Sequence, residues 1–113
     1  LRGRVRQYVV SNGTVQAQTA KLRRSGLDRL MDGIFLSERI GAEKPDIAFF
    51  DAVFAAIGPV EKEEVLIVGD SLTSDIQGGR NAGIQTCWYA PAGGESPLPH
   101  HTIRDLHQVL ALL

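Results

Sequence analysis

Apolar and polar positions alternate along this chain in a way that separates strands from helices. Residues 6–10 (RQYVV) end in three strand-favouring side chains and are followed by the polar turn Ser11-Asn12-Gly13-Thr14, which can open a helix. The spacing predicts a helix over 15–25, stopped by Gly26, and a further helical turn over 27–31. Residues 33–37 (GIFLS) read as a second strand and residues 40–45 (IGAEKP) as a loop. Pro45 sits where a helix begins. From 46 to 57, Ile47, Phe50, Phe54 and Ile57 recur at intervals of three and four, an apolar helical face. Gly58-Pro59 closes that helix. Residues 64–69 give a third strand, 72–82 a third main helix ending at Gly83, and 84–89 a fourth strand. A Pro- and Gly-rich loop over 90–99 leads to a short strand at Thr102-Ile103. A closing helix over 105–113 carries Leu106, Val109, Leu110 and Leu113 on one face. Strands alternating with helices predict a parallel α/β sheet covered on both sides. There are no internal repeats and no low-complexity tract.

The densest chemistry lies in 64–83, EVLIVGDSLTSDIQGGRNAG. A short apolar strand ends at Gly69, which lets the chain turn, and Asp70 and Asp75 follow. Open α/β sheets bind their ligands at the carboxyl ends of the strands. Hard divalent cations such as Mg²⁺ take oxygen ligands, commonly one or two carboxylates with waters completing the shell. A metal held by Asp70 and Asp75 would neutralise charge on a phosphoryl group. The plainer alternative is that Asp75, or one of residues 71–74, caps the helix and that Asp70 merely ends a strand.

Composition narrows the field only slightly. The chain has 113 residues, enough for one small domain, and a net charge of −1, which gives no argument for nucleic acid or an acidic membrane as partner. The lone Cys87 excludes an internal disulfide and suits the cytoplasm. No apolar run is long enough to span a bilayer, and no signal peptide is visible. Cys87 lies mid-strand and is expected to be a buried small hydrophobe; Trp88 and Tyr89 are expected in core packing rather than against a substrate base. His100, His101 and His107 lack the spacing of a metal set. Gly78 and Gly79 cost about 1 kcal/mol each relative to Ala inside a helix, which points either to close packing against the sheet or to a frayed helix.

Three strand ends therefore carry polar groups: Ser11, Asn12, Gly13 and Thr14 after the first, Lys44 in the loop after the second, Asp70 and Asp75 after the third. A hydroxyl, an ammonium, backbone N–H groups at a helix start and a carboxylate pair make a phosphate site with a metal. This set resembles the haloacid dehalogenase-like hydrolase superfamily. SNGT at 11–14 is similar to its second motif, Lys44 in AEKPD to its third, GDSLTSD at 69–75 to its fourth, and IQGGRNAGI to the run that follows. The SNG turn, the AEKPD-AFFD region and the TCWY strand look closest to the nucleotidase-like phosphatase branch, which includes pyrimidine nucleotidases.

The resemblance implies a Rossmann-like α/β core with helices on both faces, a single partial core domain over residues 1–113, and a Mg²⁺-dependent phosphatase acting on a phosphate monoester, with nucleoside monophosphates as candidates. It implies that Ser11 binds a phosphoryl oxygen with the backbone N–H groups of Asn12 and Gly13. It implies that Lys44 binds the phosphoryl group and the nucleophile, that Asp70 ligates Mg²⁺, and that Asp75 ligates it or orients Lys44. The family's first motif, Asp-x-Asp, has no counterpart here, nor does the cap domain. The chain is thus expected to be a carboxyl-terminal part, inactive alone, with the strand edges beside the missing nucleophile strand open to pairing by the missing segment or a second copy. The phosphorylated substrate is the expected partner, without nucleic acid or membrane. The competing reading is a non-catalytic phosphate- or partner-binding module. A dinucleotide-binding domain is disfavoured because no G-x-G-x-x-G follows the first strand.

Overall fold

The computed structural model describes residues 5–12, 16, 23–24, 26 and 31–112. Most of the helix expected over 15–25 and most of the turn expected over 27–31 lie outside the described residues, as do Gly13 and Thr14. The chain divides into two compact units, Leu1–Lys44 and Pro45–Leu113.

In the first unit, β1 (Tyr8–Ser11) and β2 (Gly33–Leu36) pair in parallel, with Tyr8 opposite Gly33 and Ser11 opposite Leu36. Among the described residues, β1 pairs with β2 alone. Gly33 leaves room for the Tyr8 ring, since a Cβ at position 33 would stand 3.0 Å from Tyr8 Cδ1. Tyr8 also packs on Phe35 at 5.9 Å between ring centroids. Below the strands, the Gln7 N–H donates to Asp32 Oδ2 at 2.6 Å and the Asp32 N–H to the Gln7 carbonyl at 2.7 Å, tying the chain together where both strands begin. The sequence reading continued β2 to Ser37 and then into a loop. Instead the chain bends at Ser37 into a one-turn helix, α1 (Ser37–Ile40), which Gly41 stops in the left-handed region at φ 84°.

The second unit is a parallel sheet in the order β3-β4-β5, with β3 Leu66–Gly69, β4 Gln85–Tyr89 and β5 His101–Ile103. The helix α2 (Ile47–Ile57) precedes it. Asp46 caps α2 by accepting the Ala48 N–H at 2.9 Å, so Pro45 precedes the cap rather than opening the helix. The buried side chains of α2 are Phe49, Phe50 and Val53, whereas Ile47 is 48% exposed. The apolar face expected on Ile47, Phe50, Phe54 and Ile57 is thus rotated. The segment IAFFDAVFAAI is apolar on more than one side, and packing selects the stripe. Phe50 fills the space over Gly78, where a Cβ would stand 2.6 Å from Phe50 Cε2.

The helix expected over 72–82 forms in two parts, a wide turn over Leu72–Ile76 and then α3 (Gln77–Ala82), which Gly83 ends at φ 76°. In the wide turn, the Ser71 carbonyl accepts from both Asp75 N and Ile76 N, at 3.0 and 3.1 Å, and Leu72 O accepts from Gln77 N. Gly78 and Gly79 are both buried. A Cβ on Gly79 would stand 2.6 Å from Thr86 Cγ2 and 2.7 Å from Ile67 Cγ2, so close helix-to-sheet approach, not fraying, accounts for the pair.

Cys87, fully buried, forms a core cluster with Ile103 and Val109, against which Leu66, Tyr89 and Leu112 pack. The closing segment Leu106–Leu112 is a 3₁₀ helix rather than an α-helix. Its three-residue repeat lines up Leu106, Val109 and Leu112; Val109 and Leu112 meet the cluster, while Leu106 at the start of the segment is 55% exposed. Among the described residues, no helix is long and apolar enough to cross a membrane.

Candidate functional site

At the end of β1, Ser11 is half-buried and its Oγ donates to the Asn12 carbonyl at 3.4 Å. The Asn12 carboxamide bridges to the backbone of Lys44 at both ends. Its Oδ1 accepts the Lys44 N–H at 2.9 Å, and its Nδ2 donates to the Lys44 carbonyl at 3.0 Å. Lys44 is only 8% exposed, and its Nζ donates to the Val10 carbonyl at 3.0 Å. The carboxyl end of β1 and the loop that follows α1 are thereby joined at one point, with a buried ammonium beside the last residues of a parallel strand. Charged groups this buried are rare unless partnered, and the Val10 carbonyl is one partner of this ammonium. The sequence reading gave Asn12 a backbone N–H toward phosphate; its side chain does something else, fixing the main chain that carries Lys44. An Asn flanked by Ser and Gly reads as a turn residue, which is why this role was not visible.

In the second unit, β3 ends at Gly69, and Asp70 stands exposed at its tip. Asp75 folds back from the wide turn onto the same tip. It is 8% exposed, and its Oδ2 accepts the Ser71 N–H at 3.2 Å. A Cβ at position 69 would overlap the Asp75 carboxyl group. Gly69 is not among the residues with positive φ, so its purpose is space for Asp75 rather than the turn expected of it. Ser71, not Asp75, caps the helix, its Oγ accepting the Ser74 N–H at 3.1 Å. The cap is thus one of the residues that the plainer alternative named, and the Asp75 carboxyl group lies at the strand tip against Gly69. This donor set, two carboxylates without Cys or His, matches a hard cation that keeps waters, such as Mg²⁺. Among the described residues, no group of three or more His, Cys, Asp or Glu could hold a metal ion by itself.

Two further contacts were missed from the sequence. Trp88, opposite Gly69 in the ladder, donates its Nε1–H to the Asp70 carbonyl at 3.1 Å. His100 is engaged structurally: its Nδ1 lies 2.9 Å from Thr86 Oγ1, its backbone N–H donates to that hydroxyl at 3.0 Å, and its Nε2 lies 2.8 Å from Arg80 Nη1. These bonds secure the loop before β5 to β4.

Parallel strands carrying polar residues at their carboxyl ends place the chain among Rossmann-like α/β proteins, which bind ligands at that edge. The family model of haloacid dehalogenase-like hydrolases matches residues 2–89, and the chain belongs to that family. It is 45% identical over 84 residues to pyrimidine 5'-nucleotidase PynA of Streptococcus pneumoniae, covering 74% of this chain and 35% of that protein. It is 36% identical over 116 residues to pyrimidine 5'-nucleotidase YjjG of Escherichia coli, covering all of this chain and 52% of that protein. The crystal structure of the HAD-hydrolase YfnB from Bacillus subtilis bound to magnesium superposes with a TM-score of 0.88 at 41% identity, over 93% of this chain and 47% of that one. The chain thus spans about half the length, or less, of these three relatives. The superfamily and its nucleotidase-like branch, expected from the motifs, are supported by these matches.

Proposed function

We propose that this chain forms the carboxyl-terminal part of a Mg²⁺-dependent phosphatase that hydrolyses a phosphate monoester, with nucleoside monophosphates as the substrate class. The observation that carries this reading is the seating of the Asp75 carboxylate over Gly69, beside Asp70, at the tip of β3. In the proposal, the Ser11 hydroxyl and the backbone N–H groups of Asn12 and Gly13 donate to phosphoryl oxygens, and the Lys44 ammonium neutralises the charge that builds on them. Asp70 and Asp75 hold Mg²⁺, directly or through water. When bound, Mg²⁺ supplies charge neutralisation on the phosphoryl group. The nucleophile belongs to the Asp-x-Asp motif of the family, which the 113 residues do not contain. In the proposal, the covalent phosphoryl acceptor is therefore supplied by a segment outside these residues that carries that motif. The substrate class draws on the names of the nucleotidases PynA and YjjG. The reading places the protein in the cytoplasm, with a small phosphorylated molecule as its partner and neither nucleic acid nor membrane.

The test is hydrolysis of p-nitrophenyl phosphate and of pyrimidine nucleoside monophosphates by the full-length protein with Mg²⁺. Lys44→Ala and Asp70→Asn are each expected to lower kcat by about two orders of magnitude or more, the scale of one lost electrostatic stabiliser. Near-parental rates in both variants would overturn the site. A full-length protein that binds phosphate without turnover would favour the non-catalytic module instead. The 113-residue chain by itself is expected to show no turnover above blank; turnover that vanishes on Asp70→Asn would contradict that.

A further inference from the structure

We propose that Trp88 is a positioning residue for the metal site, fixing through its indole N–H the turn that aims the Asp70 carboxylate. The inference rests on Asp70 being a metal ligand, as proposed above. The two carboxylates at the tip of β3 are held very differently. Asp75 is buried and accepts the Ser71 N–H. Asp70 is exposed, and among the described residues no hydrogen bond or ion pair engages its carboxylate. The direction of the Asp70 side chain is therefore set by its backbone. That backbone has already left the sheet, because the β3–β4 ladder ends at the pair Gly69 and Trp88. One residue further on, the Trp88 side chain continues what the ladder stopped doing: its Nε1–H bonds the Asp70 carbonyl at 3.1 Å.

The ring itself is held in place. A Cβ on Gly94 would stand 3.0 Å from Trp88 Cη2, so Gly94 lies close against the edge of the indole, and it adopts φ 132°, a value that favours glycine. The half-buried indole thus lies between the 90–99 loop and the Asp70 turn, with its single donor on the Asp70 carbonyl. A purely packing role needs the ring but not the N–H. A positioning role needs the N–H.

The experiment separates the two in the full-length protein. Trp88→Phe keeps an aromatic ring and removes the donor. The Mg²⁺ concentration for half-maximal rate is expected to rise about three- to tenfold, the range of one hydrogen bond, and high Mg²⁺ is expected to restore the rate. Mn²⁺ binding measured by calorimetry, without substrate, should weaken by the same factor. Unchanged Mn²⁺ affinity and Mg²⁺ dependence in a folded Trp88→Phe protein would overturn the proposal. If that variant does not fold, benzothienylalanine at position 88 decides, since sulfur replaces the N–H in a ring of the same shape. Weakened Mn²⁺ binding supports the positioning role, and parental binding overturns it. Asp70→Asn is measured alongside. If it leaves Mn²⁺ binding intact, Asp70 is not a ligand, and the reading of the site fails together with this one. If it weakens binding while removal of the Trp88 N–H does not, only the role of Trp88 fails.

Discussion

The two units put charged side chains at strand ends by opposite physical means. In Leu1–Lys44, hydrogen bonds do it: the Asn12 carboxamide grips the Lys44 main chain at both its N–H and its carbonyl, and the Val10 carbonyl accepts a hydrogen bond from the ammonium. In Pro45–Leu113, empty space does it: Gly69 clears room for the Asp75 carboxylate, while Gly78 and Gly79 let the following helix lie close to Phe50, Thr86 and Ile67. Directional bonds tolerate small shifts and lose strength gradually as geometry worsens. Steric room behaves otherwise, because repulsion rises within a fraction of an ångström and interiors are packed nearly as densely as organic crystals. The first arrangement should therefore degrade in steps under mutation, and the second should fail abruptly.

The sharpest test of that contrast is Gly69→Ala. One methyl group would overlap the Asp75 carboxyl, so the carboxylate must leave the strand tip. Activity of the full-length protein is expected to fall about a hundredfold or more, the scale of losing an electrostatic group from the site. Retention of more than a tenth of parental kcat would show that Asp75 has another place to go. Asn12→Ala probes the other mechanism. Both carboxamide bonds to Lys44 disappear, but the Lys44 Nζ bond to Val10 remains, so kcat/KM should drop roughly tenfold, in line with losing one or two net hydrogen bonds. A loss as large as that of Lys44→Ala would mean that the clamp alone positions the ammonium.

Gly79→Ala brings the contrast into stability. Helix propensity favours the Ala by about 1 kcal/mol, but its Cβ meets Thr86 and Ile67 at well under 3 Å, and overpacking of this kind costs about 1–3 kcal/mol. Overpacking should win, giving a lower denaturant midpoint; a midpoint above the parent's would show that the helix can lift off the sheet freely. The smallest expected effect involves Cys87, whose burial pushes the thiol pKa up. The fold favours the neutral thiol, and the unfolded chain ionises first as pH rises. This contribution to stability is whole below about pH 8.5 and is lost progressively above it. The decline in denaturant midpoint between about pH 8 and 10 should be shallower in Cys87→Ala than in the parent, and equal slopes would assign the decline to other groups.

Among the described residues, the sequence alone determined the order of the strands, the parallel class and the family. These depend on local periodicity and on motifs a few residues long. GDSLTSD, SNGT and AEKPD could be read without knowing any distance. So could the stop at Gly83 and the burial of Cys87 in the middle of an apolar strand. What the sequence left open was decided by contacts between elements. The face of α2 turned to Phe49, Phe50 and Val53 because a helix apolar on several sides takes the stripe that finds a partner, and Gly78 offered Phe50 the space. The wide turn over Leu72–Ile76 has no periodic signature, since it is one residue of extra winding within an otherwise helical pattern. The closing segment became 3₁₀ as Val109 and Leu112 met the Cys87 and Ile103 cluster. The roles of Asn12 and Trp88 require partners 32 and 18 residues away, and separations of that kind are set only when the chain folds back on itself. Gly69 shows the division within a single residue. Its identity was plain in the motif, but its reason was a carboxylate six positions ahead that returns to occupy the space a side chain would have filled.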